Sequence, residues 1–399
     1  MSQARIYLKP HRDESVRRFH PWVFSGAIAN VVGKPAEGDL VAVYSAEGEF
    51  LASGHWQIGS IAVRILSFEG DPEAPGFWAG AIQAAHDART AVGLTSSRRT
   101  NCYRLVHGEG DGLPGLIVDW YDGVAVLQAH SVGMFRARTR ICEALMEVYG
   151  KKLKAVYDKS SGTAPFKAGL DLVDGYLFRA PDYVEGGHVV SENGHKFLVD
   201  WAEGQKTGFF LDQRENRALV ERFSKGRNVL NLFCYTGGFS VYALGGGALR
   251  VDSVDSSAKA IALAGKNLGL NGFDASVHQE YCMDAKEFLS SVEPGRYDLM
   301  IVDPPAFAKH RGSLDKALRA YQRLNAAALE AVAPGGLVFT FSCSQVVDRQ
   351  AFLEAVFSAS AQTGRRVRIM DRLNQPQDHA VNIYHPEGEY LKGLLLYVE

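Results

Sequence analysis

The sequence predicts an α/β protein whose carboxyl-terminal part folds as a doubly wound parallel sheet, preceded by a β-rich barrel and a small central α+β domain. From Arg227 onward, short apolar runs alternate with helical segments, a pattern typical of a parallel sheet covered by helices. Before that residue, the apolar runs are short and separated by turn signals. The 399 residues also exceed what a single hydrophobic core usually serves, so two or three domains are expected.

Residues 1–69 are predicted to form the β-rich barrel. Its candidate strands combine branched and aromatic residues and are separated by turns rich in Gly and Asp. They span residues 4–8, 39–44, 50–56 and 61–66. The following segment, Glu69 to Gly76, holds two prolines, two glycines and three acids, a composition typical of a linker.

Residues 70–187 are predicted to form the central α+β domain. Asp111-Gly112 and Asp122-Gly123 mark turns between its strands. The predicted helices span 77–92 and 135–149, and the predicted strands span 103–107, 116–120, 124–130 and 155–158. A hairpin around Asn193-Gly194 then opens the third domain, residues 188–399.

The third domain carries the regular alternation. Its predicted strands span 229–233, 250–254, 276–279, 297–302, 337–342, 367–371 and 390–397. Its predicted helices span 257–270, 284–291, 313–333 and 348–362, with one more after the first strand. The carboxyl ends of parallel strands share one edge of the sheet, which is where ligands of open α/β sheets bind.

Polar or Gly-rich segments follow the first three of these strands. Tyr235-Thr236-Gly237 opens a helix, so its backbone can approach a ligand and offer free N–H groups. It lacks the GxGxxG pattern, so a dinucleotide is not specifically indicated. Asp255 could accept hydrogen bonds from ribose hydroxyls, and Asp284 from an adenine amino group, although each could instead cap the following helix.

The fourth strand ends in Asp303-Pro304-Pro305. The prolines fix the backbone and remove N–H donors, so the loop is rigid and could orient a nucleobase. A stiffened strand exit would explain the prolines but not the preceding acid. A Gly turn, two acids and Asp-Pro-Pro on successive strands resemble the layout of an S-adenosylmethionine-dependent methyltransferase. Asp-Pro-Pro also occurs in enzymes that methylate exocyclic amines, so it does not define the chemistry.

Cys343 follows the fifth strand, beside the predicted Asp-Pro-Pro loop. Most buried cysteines are inert. However, C5 of a pyrimidine is a weak nucleophile, and a thiolate that adds to C6 makes C5 reactive. Amino-group methylation needs no such cysteine. We therefore predict that Cys343 is a nucleophile, with Ser342 and Ser344 able to donate hydrogen bonds to its thiolate.

The cysteine count, the net charge and the length of the apolar runs disfavour several classes of protein and of site. The five cysteines are odd in number and show no two-residue spacing, which disfavours a disulfide framework or a zinc site, so we expect reduced thiols and no metal. The net charge of −2 disfavours non-specific coating of nucleic acid. No apolar run is long enough to span a membrane and no signal peptide is evident, so a cytoplasmic location is expected.

With these motifs, the chain resembles the bacterial large-subunit ribosomal RNA (cytosine-5-)-methyltransferases with an N-terminal PUA domain. The resemblance rests on residues 207–214, 231–240, 303–307, 341–344 and 384–393. It implies a PUA barrel, a central domain and a Rossmann-like methyltransferase domain, with Cys343 as nucleophile and Asp303 as a candidate for deprotonation. It implies S-adenosylmethionine contacts by Phe210, Asp212, Gln213, Arg214, Tyr235, Thr236, Gly237, Asp255, Asp284 and Asp303. Ala306 departs from related enzymes that carry a second cysteine there for product release.

The predicted partner is ribosomal RNA of the large subunit, either naked or in an assembly intermediate. Arginines and aromatic residues near the amino terminus suit phosphate contacts and base stacking, although a solvated basic face is the simpler interpretation. A cytosine within a helix would have to flip out to reach Cys343. The candidate RNA-binding residues are Arg5, Lys9, Arg12, Arg17, Arg18, Trp22, Pro304, Pro305 and Phe307.

Two alternatives stay open. One is an RNA methyltransferase that acts on an exocyclic amine or a guanine nitrogen without covalent catalysis. The other is an RNA-binding ribosome assembly factor with a vestigial cofactor pocket. The patterning allows a homodimer without requiring one.

Overall fold

The computed structural model describes residues 4–165, 169–308 and 310–399. The chain divides into two compact units. The amino-terminal unit consists of Met1–Val190, Val199–Leu211 and Gln377–Gly388, and the carboxyl-terminal unit of Ser191–Leu198, Asp212–Pro376 and Glu389–Glu399. The finer division at residues 69 and 187 stays a prediction.

The amino-terminal unit contains a six-stranded sheet with a buried apolar core that includes Ile6, Val41 and Val63. Its strands are β1 (Ala4–Leu8), β2 (Trp22–Phe24), β3 (Ile28–Val32), β4 (Leu40–Tyr44), β5 (Phe50–Trp56) and β6 (Ile61–Ser67), in the order β2-β6-β5-β4-β1-β3, with the short helix α1 (Glu14–Arg17). The predicted β-rich region is confirmed. The sequence did not predict β2 and β3, because β2 has three residues and β3 alternates little.

A second sheet in this unit has five strands in the order β11-β10-β9-β8-β7. They are β7 (Cys102–His107), β8 (Leu116–Tyr121), β9 (Val124–Ala129), β10 (Ala155–Asp158) and β11 (Gly175–Arg179), accompanied by helices α2 (Phe77–Ala91) and α3 (Val132–Tyr149). The hairpin β12 (His188–Glu192) and β13 (His195–Val199) follows. Its turn residues Asn193 and Gly194 have φ of 52° and 94°, as expected for an Asn-Gly turn.

The carboxyl-terminal unit is built on a seven-stranded sheet in the order β16-β15-β14-β17-β18-β20-β19. The strands are β14 (Asn228–Leu232), β15 (Arg250–Asp255), β16 (His278–Cys282), β17 (Tyr297–Val302), β18 (Val332–Ser342), β19 (Val367–Leu373) and β20 (Lys392–Val398). The helices are α4 (Arg214–Phe223), α5 (Gly238–Gly245), α6 (Ala258–Leu270), α7 (Ala285–Ser291), α8 (Leu314–Ala331) and α9 (Arg349–Thr363).

The predicted α/β architecture is confirmed, with one difference in strand direction. Strands β14 to β18 are parallel, but β20 runs antiparallel between β18 and β19. A buried apolar run does not reveal strand direction, so the pattern alone could not show this. The sheet order reverses between β14 and β17, and such a switch point opens a ligand crevice at the carboxyl ends of the strands.

No helix within the described ranges is both long enough and apolar enough to cross a membrane.

Candidate active site

The strands that carry the predicted site residues end next to one another at one edge of the sheet. Leu232, Val254, Val302 and Thr340 face one another in register across β14, β15, β17 and β18. The next residue on each strand therefore begins the same edge, and this places the turn after Leu232 next to Asp255 and Asp303. Cys343 lies three residues beyond Thr340, on the strand adjacent to β17.

The turn after β14 is tightly wound. Phe233 and Tyr235 have φ of 58° and 46°, and Gly237 has φ of 76°. A Cβ at Gly237 would lie 2.9 Å from the Cβ of Ala264 in α6, so only glycine fits this close approach. Left-handed non-glycine residues store strain and cluster at functional sites.

Two side chains hold this turn in place. The Tyr235 N–H donates to Asp255 Oδ2 over 2.9 Å, and the Asn267 side-chain amide donates to the Thr236 carbonyl over 2.8 Å. Thr236 is buried. The turn is therefore organised by α6 and the end of β15 rather than by its own sequence alone.

Of the acids at the ends of β15 and β16, Asp284 is the N-cap of α7, whereas the N-cap of α6 is Ser257 and not Asp255. Asp255 Oδ1 accepts from the Ser257 N–H at 2.9 Å. Asp284 Oδ1 accepts from the N–H groups of Lys286 and Glu287 at 2.8 and 3.2 Å. Each carboxylate oxygen has two lone pairs, so these bonds leave acceptor capacity for a ligand.

The start of α4 contributes a buried polar cluster. Asp212, Gln213 and Arg214 are buried, and Asp212 Oδ2 accepts from the Tyr390 hydroxyl at 2.7 Å. Gln213 donates to Asp303 Oδ2 over 3.0 Å and accepts from the Asn216 amide at 2.6 Å. Gln213 therefore links the start of α4 to Asp303, and Asp212 links the same segment to Tyr390. Phe210 belongs to the amino-terminal unit, where the Lys206 ammonium lies 5.3 Å from its ring centroid.

A buried ion pair fixes α4 against α5. The guanidinium of Arg217 donates to both carboxylate oxygens of Glu192 over 2.8 Å, and the Tyr242 hydroxyl donates to Glu192 Oε1 over 2.9 Å. All three residues are buried. This support was not predicted from the sequence, in which Arg217 and Glu192 lie 25 residues apart and carry no local signal of their pairing.

Cys343 is partly exposed directly after β18. The prediction that its flanking serines donate to the thiol is wrong. Ser342 donates to the Tyr321 hydroxyl over 2.9 Å, and Ser344 donates to the Ala308 carbonyl over 2.6 Å. Since each hydroxyl has one proton, neither proton is directed at Cys343. Ser344 instead ties the cysteine segment to the chain that follows Asp303-Pro304-Pro305.

Lys392, which the sequence analysis also missed, lies behind Cys343. It pairs with Ser342 across β18 and β20, it is 4% exposed, and its Nζ donates to the Ser344 carbonyl over 2.7 Å. Burial lowers the pKa of Lys392 to about 8, against the opposing effect of negative charge at Cys343. Charge coupling is reciprocal, so the ammonium favours a thiolate at Cys343.

The loop after β17 packs against Tyr321. The Phe307 ring lies 4.7 Å from the Tyr321 ring, and Pro304 is buried while Pro305 is exposed. Burial raises the pKa of Tyr321 to about 12, so its hydroxyl remains protonated at neutral pH. The loop therefore has a rigid base and one exposed proline facing outward.

The predicted RNA-binding residues of the amino-terminal unit fall into two groups. Arg12 and Arg18 line a surface cavity of about 520 Å³ together with Phe24, which is 43% exposed, and Glu14, which forms a highly exposed pair with Arg18 at 3.8 Å. Arg5 is exposed. Arg17, Lys9 and Trp22 instead make internal contacts. Arg17 pairs with Asp13 and Glu49, Lys9 donates to the Gly26 carbonyl, and the Trp22 indole N–H donates to Glu109 over 2.8 Å.

Comparison with known proteins gives two family matches. Residues 172–395 match the family of S-adenosylmethionine-dependent methyltransferases, and residues 6–68 match the PUA-like domain. The first match covers more than half of the chain.

Similar proteins extend over almost the whole chain. A ribosomal RNA large subunit methyltransferase I from Alteromonas mediterranea is 39% identical over 98% of both chains. Another from Aeromonas hydrophila is 38% identical over 98% of this chain and 99% of its own. A solved structure of a proposed SAM-dependent methyltransferase from Streptococcus mutans has a TM-score of 0.83 at 23% identity and covers 99% of this chain and 100% of its own. A second structure, complexed with SAH, has a TM-score of 0.83 at 24% identity over the same shares.

Proposed function

Because the chain belongs to the S-adenosylmethionine-dependent methyltransferases, and among them to the ribosomal RNA large subunit methyltransferase I family, we propose that it methylates C5 of a cytosine in large-subunit ribosomal RNA. The observation that carries this proposal is the position of Cys343. It follows the strand adjacent to Asp303, is accessible, and has the buried ammonium of Lys392 behind it. Methylation of an exocyclic amine would use neither the thiol nor the lysine.

The residues at the sheet edge fit an adenosyl ligand. The turn at Tyr235-Thr236-Gly237 brings the backbone close to the edge, and Asp255 and Asp284 offer carboxylate oxygens at successive strand ends. Such acids suit the donor groups of a ribose and an adenine. We infer that Asp212, Gln213 and Arg214 complete the cofactor site within the carboxyl-terminal unit, and the contact expected of Phe210 stays a prediction. S-adenosylmethionine supplies an electrophilic methyl group when it is bound.

The proposed reaction depends on reversible bond formation at Cys343. The thiolate adds to C6 of the cytosine, so a C–S bond forms and electron density moves to C5. After C5 has gained the methyl group, a base removes the C5 proton. The C6–S bond then breaks, the aromatic ring is restored and the thiolate is regenerated. Ala306 has no group that could accept a proton, so we assign the deprotonation to Asp303, whose carboxylate Gln213 holds in place.

Lys392 acts through Cys343 as a positioning residue. A thiolate is the reactive form of cysteine, and a neighbouring cation favours it. Lys392 is buried despite the cost of burying an ammonium, which is an arrangement that function rather than stability explains. Ser344 contributes by fixing the backbone on which both the cysteine and the lysine contact depend.

The RNA would be held by the PUA-like domain and the Asp303-Pro304-Pro305 loop. Arg12 and Arg18 line the same cavity as the exposed Phe24, which combines phosphate-binding and stacking groups. We propose that Pro305 and Phe307 contact the flipped base. Because Trp22 and Arg17 are engaged in internal contacts, we expect them to contribute less than Arg12 and Arg18.

Product analysis tests this proposal. Protein-free large-subunit RNA is incubated with the enzyme and S-adenosylmethionine, digested to nucleosides and analysed by mass spectrometry. We expect 5-methylcytidine from the wild-type protein and none from Cys343→Ala, whereas Cys142→Ala, a change in α3 of the amino-terminal unit, should retain activity. A methylated amine in place of 5-methylcytidine, or full activity of Cys343→Ala, would favour the non-covalent alternative. Calorimetric titration with S-adenosylmethionine separately distinguishes an enzyme from an assembly factor, which would not bind it.

A further inference from the structure

We propose that His20, His385 and Glu387 bind one divalent transition-metal ion, with zinc as the ion that best suits their donor atoms. All three residues belong to the amino-terminal unit. They are not among the residues assigned to methyl transfer, so this site is independent of the proposed reaction. No metal was expected from the cysteine spacing, which does not reveal histidines that are distant in the chain and close in the fold.

The geometry brings one donor atom from each residue together. These three atoms lie within 4.8 Å of one another, and His385 Nε2 lies 3.9 Å from Glu387 Oε2. Two imidazole nitrogens and one carboxylate oxygen form a known type of zinc donor set, with the fourth position open to water. Zinc bonds of about 2.0–2.2 Å require the donors to approach somewhat further. Glu387 is exposed and free to make that adjustment.

The side chain of His385 provides an independent observation. It is 3% exposed, and among the described residues neither of its ring nitrogens has a hydrogen-bond partner. A buried polar group without a partner costs about 1–3 kcal/mol and calls for an explanation. The Trp22 ring lies 4.3 Å from the His385 ring, which explains packing of the imidazole but not its unpaired nitrogens. A metal ion would satisfy one of them.

The surroundings of His20 suit a metal ligand. The Trp22 N–H donates to His20 Nδ1 over 3.2 Å, and the Trp22 carbonyl oxygen lies 3.4 Å from the same nitrogen. The backbone therefore occupies Nδ1, and Nε2 is the nitrogen that would bind the ion. Binding at Nε2 requires the tautomer with its proton on Nδ1, so donation from Nδ1 to the Trp22 carbonyl would replace the bond from the Trp22 N–H.

The site would join distant parts of the chain. His20 lies two residues before the start of β2, whereas His385 and Glu387 belong to the segment Gln377–Gly388, which returns to this unit from near the carboxyl terminus. A metal clip that closes so long a loop should stabilise the fold of the unit. The His20 ring also lies 5.9 Å from the Phe24 ring, so the ion would brace one wall of the cavity that Arg12 and Arg18 line.

A cobalt titration of the full-length protein tests the site. Metal-free protein is titrated with Co²⁺ and followed by visible d–d absorption and calorimetry. We expect the wild-type protein to bind one more Co²⁺ ion than His385→Phe, which keeps an aromatic ring against Trp22. Glu387→Gln, at an exposed position, should weaken that ion at least tenfold. The cysteines are present in every variant, so any binding by thiols cancels in the comparison.

The control is His86→Phe. His86 has Asp87 at 3.4 Å but no third donor in the described part of the chain that completes a site, so this variant should bind Co²⁺ like the wild-type protein. Equal Co²⁺ stoichiometry in wild-type and His385→Phe, or unchanged affinity in Glu387→Gln, would overturn the proposal. Circular dichroism confirms that each variant is folded, and His20→Gln provides a second test if His385→Phe unfolds.

Discussion

Replacing Lys392 by methionine should make the protein more stable and less active. The ammonium of Lys392 is buried, and its pKa falls from 10.5 to about 8 in the folded protein. A pKa difference of one corresponds to about 1.4 kcal/mol, so keeping this lysine protonated in the fold costs about 3 kcal/mol at neutral pH. Methionine has a similar length and no charge, so it removes this cost.

The stability gained by removing the buried ammonium is partly offset by the loss of one hydrogen bond. The Ser344 carbonyl would lose the bond from Nζ, which costs about 1 kcal/mol. We therefore expect Lys392→Met to raise the free energy of unfolding by about 2 kcal/mol at pH 7. At the same pH, its rate of methyl transfer should fall at least tenfold, because the thiolate loses its neighbouring cation.

The stability difference between Lys392→Met and the wild-type protein should depend on pH. Because the folded pKa lies below the unfolded one, the folded protein binds fewer protons than the unfolded chain between about pH 8 and pH 10.5. The penalty is complete below pH 8 and diminishes as the pH rises through this window. The stability advantage of Lys392→Met should therefore shrink between pH 7 and pH 9.5, where the penalty in the wild-type protein is about 1 kcal/mol.

Urea unfolding at pH 7 and pH 9.5, together with a methyl-transfer assay, measures both effects. Lys225→Met is the matched control, because Lys225 is exposed and its replacement should change stability by less than about 0.5 kcal/mol. A Lys392→Met protein that is less stable than wild type at pH 7 would refute the burial argument. Unchanged activity would refute the role of the ammonium beside Cys343.

Three other substitutions test the supports of the site. Gly237→Ala should destabilise the protein by about 1–3 kcal/mol and weaken S-adenosylmethionine binding in calorimetry, because its Cβ would clash with Ala264 at a residue of positive φ. The control is Gly226→Ala, at a φ of 73° with open space around it, which should keep the affinity for S-adenosylmethionine. Equal losses of affinity in the two variants would contradict this account. Glu192→Ala should lower the free energy of unfolding in urea by about 3–5 kcal/mol, because the buried guanidinium of Arg217 loses both of its bonds to Glu192. Glu73→Ala, which removes the exposed pair with Arg140, should lower it by less than about 1 kcal/mol. Ser344→Ala should slow methyl transfer without changing the affinity for S-adenosylmethionine, because it removes the hydrogen bond that holds the Cys343 segment to Ala308. A loss of both the rate and the affinity would show that Ser344 has a wider structural role.

Much of the fold followed from hydrophobic patterning. The strand predicted at 297–302 matches β17 because all its residues except Asp298 are buried and mostly apolar, and because Asp303 bounds it in the middle of the sheet. The strand predicted at 276–279 was misplaced toward the amino terminus, and β16 covers His278–Cys282. This strand lies at the sheet edge and is largely polar, so the apolar pattern marks it weakly.

The site was predictable where function follows strand ends, and not where it depends on pairing between distant strands. Asp303 and Cys343 were found because each follows an apolar run at the same edge. Lys392 was missed because its position beside Cys343 comes from the antiparallel register of β18 and β20, which local sequence does not specify. The serines were assigned to the thiol for a similar reason, since their partners Tyr321 and Ala308 are remote in sequence.

Covalent trapping on fluorinated RNA tests the central claim most directly. Release of the cysteine requires removal of the C5 proton, and fluorine at C5 cannot be removed in this way. Once the cysteine has added to C6 and C5 has gained the methyl group, the cysteine therefore stays attached to the base. Incubation of the protein with S-adenosylmethionine and 5-fluorocytosine RNA should yield a denaturation-resistant adduct that peptide mass spectrometry maps to Cys343. The adduct should be absent from Cys343→Ser and present in Cys142→Ala, a change in α3 of the amino-terminal unit. Active protein that forms no adduct, or an adduct at another residue, would contradict the assignment of Cys343 as the nucleophile.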